Sequence, residues 1–253
     1  SDWSSDVCSS DLRRGGDLRS VHVDELFDFD QDHYGGLAAV DALARRAGIT
    51  PTSRVLDVCA GLGGPARTLV ETYGCHVTGI DLTQAFCDAA AALSDWVGLG
   101  GRVSFRQGDA TGLPFGNAEF DAAMTIHVAM NIARKDRVYA EARRVLKPGA
   151  RFAVYDVLQG EGGDVLYPVP WAREPSISHL ATPDAMQSLL VEAGFKIIDV
   201  QDSTEASQRW FEAMAARMAT GAVPAVTFQA FLGNDFPEMA RNQVANLRDR
   251  RIR

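Results

Sequence analysis

The chain has 253 residues, 46% of them apolar and 23% charged, with a net charge of −8; this suits one large α/β domain with a small cap. The acidic balance excludes the basic stripe that nucleic-acid phosphates or anionic lipid would require. The absence of an apolar run of about 18 residues or of a charged-then-apolar leader predicts a cytoplasmic protein with no membrane partner, and Cys8, Cys59, Cys75 and Cys87 show no metal-ligand spacing.

Residues 2–12, Asp-Trp-Ser-Ser-Asp-Val-Cys-Ser-Ser-Asp-Leu, match residue for residue the translation of a sequencing-adapter oligonucleotide, so 1–12 are expected to be a foreign or disordered leader that packs on nothing. Residues 13–50 are predicted to form an N-terminal lid and a helix over 37–47, ended by Gly48. Residues 51–204 read as the core. Strand one, 54–59, runs into the glycine loop Gly61-Leu62-Gly63-Gly64, and Pro65 opens a helix that stops at Gly74. Strand two is 76–81, and Thr83 is placed to N-cap a helix reaching about Val97. Strand three is 103–107, followed at once by Asp109, and strand four is 120–128. A helix over 134–146 is expected to end at Lys147-Pro148-Gly149, with strand five over 151–157. Glycines and prolines punctuate 159–180, which reads as an ordered cap loop. Thr182-Pro183 opens another helix, strand six is expected over 196–200, and helices over 205–220 and 237–249 make up a C-terminal segment, 205–253. The alternation predicts a doubly wound, Rossmann-like parallel sheet with helices on both faces and a ligand at the C-terminal strand ends.

Two cofactors suit such a loop. Gly61-x-Gly63-x-x-Ala66 with Asp81 twenty residues after Gly61 satisfies a dinucleotide fingerprint. Asp57, at the end of strand one, opposes that reading, because an acid there repels a pyrophosphate. An aminosulfonium cofactor wants the reverse: an acid and loop carbonyls for its ammonium, Asp81 for its ribose diol and an acid such as Asp109 for its adenine amine.

Val55-Leu56-Asp57-Val58-Cys59-Ala60-Gly61-Leu62-Gly63, Val77-Thr78-Gly79-Ile80-Asp81-Leu82, and Gly108-Asp109-Ala110 with Leu113-Pro114-Phe115 and Phe120-Asp121 together resemble the class I S-adenosylmethionine-dependent methyltransferases. The likeness covers roughly residues 29–252, and Gly-x-Gly-Gly-x-Ala-Arg is closest to the small-molecule branch that includes sarcosine/dimethylglycine, phosphoethanolamine and quinone methyltransferases. The resemblance implies S-adenosyl-L-methionine as cofactor and methyl transfer to a small-molecule acceptor. Ala60, Gly61 and Gly63 would line its methionine part, Asp81 and Leu82 the ribose and adenine edge, and Asp109 and Ala110 the adenine; Tyr34 or Gln31 would touch its carboxylate. Cys59 departs from the family's usual first glycine. The resemblance also implies a seventh, antiparallel strand beyond Arg253, and hence an unpaired sheet edge beside strand five.

After strand four the chain has Ile126-His127-Val128-Ala129-Met130-Asn131 in place of the Asn/Asp-Pro-Pro-aromatic signature of base and protein-amide methyltransferases. His127 is either a base for the acceptor or a wall residue touching the cofactor, with Asn131 beside it in the sequence. Asp30 and His33 take either an acceptor or lid role or sit in a surface turn. Tyr167 and Trp171 offer a cation-binding face or ordinary packing. A nicotinamide oxidoreductase, or a cofactor-binding protein without turnover, is the alternative.

Overall fold

The computed structural model describes residues 33–219 and 232–253, together with Val23, Leu26, Asp30 and Gln31. The proposed leader, 1–12, lies outside the described residues. Helix α1 is Gly36–Ala47 and is closed by Gly48 in the left-handed conformation, with its N–H on Ala44 and Arg45 carbonyls. Then follow β1 (Arg54–Val58), α2 (Gly64–Tyr73), β2 (His76–Asp81), α3 (Gln84–Trp96), β3 (Val103–Gln107), β4 (Phe120–Ile126), α4 (Lys135–Val145), β5 (Leu146–Tyr155), α5 (Pro183–Glu192), α6 (Thr204–Ala219) and α7 (Phe236–Arg248). Two compact units emerge, dividing the chain at places other than the sequence segments: one holds the described residues up to Ile126 plus Ala140–Tyr155, the other His127–Tyr139 and Asp156–Arg253.

The first unit is a five-stranded sheet in the order β3-β2-β1-β4-β5, and every pairing is parallel. The chain builds outward from β1 to β3 and then crosses to β4 on the other side of β1, so the loop after β1 lies where the order reverses. Val55, Leu56 and Val58 are fully buried, as a central strand covered on both faces requires. One core face joins Val40, Leu43 and Ala44 of α1 and Ala66, Leu69 and Val70 of α2 to Val55, Val77, Val103, Ala122, Met124 and Ala153 of the strands.

In the second unit α5 is capped as its sequence predicts, with the Thr182 hydroxyl accepting from Ala185 N at 3.2 Å. Asn246 of α7 is fully buried. It clamps residue 166 of the cap loop by accepting from Leu166 N at 2.8 Å and donating to Leu166 O at 2.9 Å. No helix among the described residues is long and apolar enough to cross a membrane.

Three expectations are corrected. Residues 196–200 form no strand: no ladder partner pairs with them among the described residues, and Ile198 and Val200 are 72% and 61% exposed. Lys147-Pro148-Gly149 does not end α4 in a loop but lies inside β5, where pairing passes from Phe120↔Leu146 to Ala122↔Arg151 across an irregularity. Thr83 makes no side-chain cap on α3; its backbone N–H donates to Asp81 Oδ1 instead. As expected, β5 is the outer strand of the sheet among the described residues. The last residues are nevertheless paired, with Leu158 N and Arg253 N exchanging bonds with Arg253 O and Leu158 O at 2.7 and 2.9 Å.

Candidate cofactor site

The glycine loop leaves β1 through a residue with a positive φ. Cys59 stands at φ 62°, a conformation costly for a side chain with Cβ, which is the physical reason glycine is usual there. Ala60 N then donates to Ile80 O at 2.9 Å, tying the loop to the end of β2. Gly61, at φ 53°, has nothing within 4 Å of where a Cβ would stand, so its backbone faces open space. Gly63 and Gly64 are the opposite case: a Cβ would meet Phe105 Cζ at 2.3 Å and Asp30 O at 2.1 Å respectively. Gly63 N closes the turn on Ala60 O at 2.8 Å, and α2 begins with Pro65 in its first turn.

Three carboxylates belong to the strand ends around this loop. Asp81 is anchored through both oxygens: Oδ2 accepts from Gly61 N at 3.0 Å and Oδ1 from Thr83 N at 2.9 Å. Asp57 is 2% exposed, and its Oδ2 has no hydrogen-bond partner among the described residues. Burial, with the charge of Asp81 adding to it, pushes the Asp57 carboxyl up to about 7. Asp109 is exposed. Its Oδ1 accepts from Thr111 N and Oγ1, both at 2.8 Å, and these bonds hold it below the usual carboxylate range. Gly108 N donates to Asp81 O at 2.8 Å, joining the ends of β2 and β3. Leu82 is 66% exposed while Ala110 is buried.

This donor set suits S-adenosylmethionine. A cationic ligand would satisfy the orphaned oxygen of Asp57 and draw it into its ionised form, whereas a pyrophosphate beside the loop would be repelled by it. The open space over Gly61 admits a ligand against the backbone.

His33 belongs to the same unit but is engaged elsewhere. It is 4% exposed, its Nε2 contacts Gln31 Oε1 at 3.1 Å and its Nδ1 contacts Tyr34 O at 3.2 Å. Burial lowers its pKa to about 4, so the ring is neutral at physiological pH. Tyr34 is half-buried. Asp30 is not in a surface turn: it is buried in an ion pair with Arg67 at 2.6 Å.

His127 and Asn131 fall in the second unit. His127 has φ 52° and is half-buried; Asn131 is exposed, with its N–H on Val128 O. Asp156 organises this stretch, accepting from Ala129 N at 2.6 Å and from Val157 N at 2.9 Å, while burial pushes its carboxyl up to about 6. Lys135 donates to the carbonyls of Ile132 and His179, and His179 N donates to Met130 O at 2.7 Å. Trp171 Nε1 donates to Ser178 Oγ at 3.0 Å. Arg67, Lys135 and Asp156 went unassigned in the sequence; only Arg67 carried a signal, as the last residue of the Gly-x-Gly-Gly-x-Ala-Arg run.

Residues 56–154 match the family described as methyltransferase domain, over the segment that carries the loop and the three acids. Over that segment the chain is similar to the methyltransferases. S-adenosylmethionine is the cofactor such a domain takes, and the nicotinamide alternative finds no support. The chain is 41% identical over 116 residues to sterol 24-C-methyltransferase ERG6B of Gibberella zeae, covering 46% of this chain and 30% of that one. It is 33% identical over 172 residues to O-methyltransferase cnsE of Penicillium expansum, covering 65% of this chain and 61% of that one. The chain thus spans from about a third to about three fifths of the length of these curated relatives. Among solved structures, the [4+2]-cyclase SpnF superposes with a TM-score of 0.69 at 26% identity, over 89% of this chain and 83% of that one.

Proposed function

We propose that the first unit binds S-adenosylmethionine and that the protein transfers the methyl group to a small-molecule acceptor. The observation that carries this reading is Asp57, a carboxylate buried at the end of β1 whose Oδ2 has no hydrogen-bond partner among the described residues, next to a loop whose Gly61 amide is held by Asp81. Bound there, the cofactor supplies a methyl group already activated by its sulfonium; the protein's part is to bind and orient. Asp81 and Leu82 are assigned the ribose and adenine edge, Asp109 and Ala110 the adenine, and Ala60, Gly61 and Gly63 the methionine part. Asp57 is assigned the ammonium and Tyr34 the carboxylate. His33, buried and engaged by Gln31 and Tyr34, is assigned to holding its segment. His127, with Asn131, is assigned to the acceptor, the imidazole taking a proton where the acceptor must lose one.

The sterol methyltransferase relatives support an apolar small molecule as acceptor. A cytoplasmic location belongs to the same proposal and is supported by the thiols Cys75 and Cys87, which form no disulfide among the described residues. The test is label transfer from methyl-labelled S-adenosylmethionine to a panel of sterols, phenols and amines, with a methylated product expected. A second reading, cofactor binding without methyl transfer, is favoured by the similarity to a chain named as a [4+2]-cyclase. Tight S-adenosylhomocysteine binding with no label moved to any acceptor would select it.

A further inference from the structure

Arg67 lies in the first turn of α2, directly under the glycine loop, and is fully buried. Its guanidinium is shared between three elements. Nη2 donates to Leu62 O of the loop at 2.7 Å and to Asp30 Oδ2 of the N-terminal segment at 2.6 Å. Nη1 donates to Ala90 O and Ser94 Oγ of α3, both at 3.2 Å. Helix α3 is the one that begins just after Asp81 and Leu82. One side chain therefore joins the N-terminal segment, the loop and the helix that follows the ribose acid.

The same turn of α2 grips the next residue of that segment. Gln31 Nε2 donates to Thr68 Oγ1 at 3.2 Å, and Thr68 Oγ1 donates to Gly64 O at 3.0 Å. Gly64 has room for no side chain at all, because a Cβ would stand 2.1 Å from Asp30 O and 2.7 Å from Asp30 C, backbone atoms that have little freedom to yield. The loop's last glycine is thus shaped by the approach of Asp30. A fully buried ion pair is an expensive way to hold a core together, since packed apolar residues of similar volume serve stability as well or better. What the pair supplies here is a defined geometry between Leu62 and Asp30.

We infer that Arg67 is a positioning residue for the cofactor: docking of residues 30–31 onto α2 sets the glycine loop, so that the N-terminal segment and the cofactor are bound cooperatively. This rests on the S-adenosylmethionine reading of the loop. By linkage, a cofactor that prefers the docked loop tightens the segment, and loosening the segment weakens the cofactor by the same factor.

The test measures S-adenosylhomocysteine affinity by calorimetry and amide exchange of residues 30–34, with and without that ligand. The proteins are wild type, Arg67→Lys, Gly64→Ala and Thr68→Val, at a temperature where each is folded. Arg67→Lys keeps a charge for Asp30 but cannot reach all four acceptors, and Gly64→Ala displaces Asp30, backbone and carboxyl together, while leaving the guanidinium itself in place. Both are expected to bind roughly tenfold more weakly, and Thr68→Val, the variant least able to disturb folding, roughly threefold. In wild type the ligand should slow exchange at 30–34, and in Gly64→Ala it should not. Folded variants that bind like wild type, with exchange at 30–34 indifferent to ligand, overturn the inference. A folded wild type that binds no S-adenosylhomocysteine overturns the cofactor reading itself, and this inference with it.

Discussion

In the first unit the residues after β1, β2 and β3 take their places from a sheet. Asp57 stands opposite Gly79 and Asp81 opposite Gln107 because parallel ladders put them there. In the second unit, residues 127–132 and 156–180 lie outside the sheet and are placed by side chains, with Asp156, Lys135 and Asn246 each holding backbone groups of loops. A ladder spreads its hold over many bonds, so exchanging one side chain on it alters chemistry more than geometry. A loop hung on a single carboxylate loses its shape when that group goes. Substitutions in the first unit should therefore change cofactor affinity more than stability, and those in the second should do the reverse.

The largest effect expected under this contrast is at Asp81. Asp81→Ala removes a diol acceptor and leaves the Gly61 and Thr83 amides without their carboxylate, and S-adenosylhomocysteine affinity should fall by roughly a hundredfold or more. Calorimetry checks this, and the melting temperature should move only a few degrees. At Asp57 the prediction depends on pH. Its folded pKa, about 7, lies above the ordinary carboxylate value of 3.8, so the folded protein keeps a proton that the unfolded chain releases between those limits. Its contribution to stability is favourable below that window and declines as pH rises through it. Asp57→Asn should accordingly melt no lower than wild type at pH 8, while binding the cofactor roughly tenfold more weakly. A melting scan at pH 5 and pH 8 beside a titration reads both.

Asp156→Ala should reverse the pattern. It leaves the Ala129 and Val157 amides unpaired at a cost of roughly 1–3 kcal/mol each. Denaturant unfolding should show that loss, and exchange at 128–132 should quicken more than exchange in β1. The smallest effect belongs to Cys59→Gly. Relief of a left-handed backbone with a Cβ should raise stability by up to about 1 kcal/mol, with cofactor affinity unchanged. A loss of stability there would mean that the cysteine makes a contact worth more than its strain.

The same division explains what the sequence disclosed. Buried parallel strands write themselves as short apolar runs, so β1 to β4 and their order were legible, as were the loop and the three acids, whose spacing follows from that order. Cys59 stood out as a departure from the family's first glycine, and its positive φ is the physical reason a glycine is usual there. The second unit left fewer signs. Residues 196–200 have the apolar content of a strand, yet a strand exists only through its partner, and local sequence does not name one. Asp156 looked like any acid after a strand, since the loop amide that it holds, Ala129 N, lies 27 residues away. Arg67 was printed in the loop motif, but its partner Asp30 is 37 residues upstream, a separation over which side-chain pairing leaves no periodic trace.

Asp57, buried at the end of β1 with an unpartnered oxygen, makes this loop a site for a cationic aminosulfonium cofactor rather than for a dinucleotide. Titrating wild type with S-adenosylmethionine and with NADH near pH 6.5, in two buffers of different ionisation enthalpy, tests it directly. The account predicts that S-adenosylmethionine binds with release of a proton, as Asp57 ionises beside the ammonium, and that NADH does not bind. NADH binding, or S-adenosylmethionine binding with no proton exchanged, would contradict it.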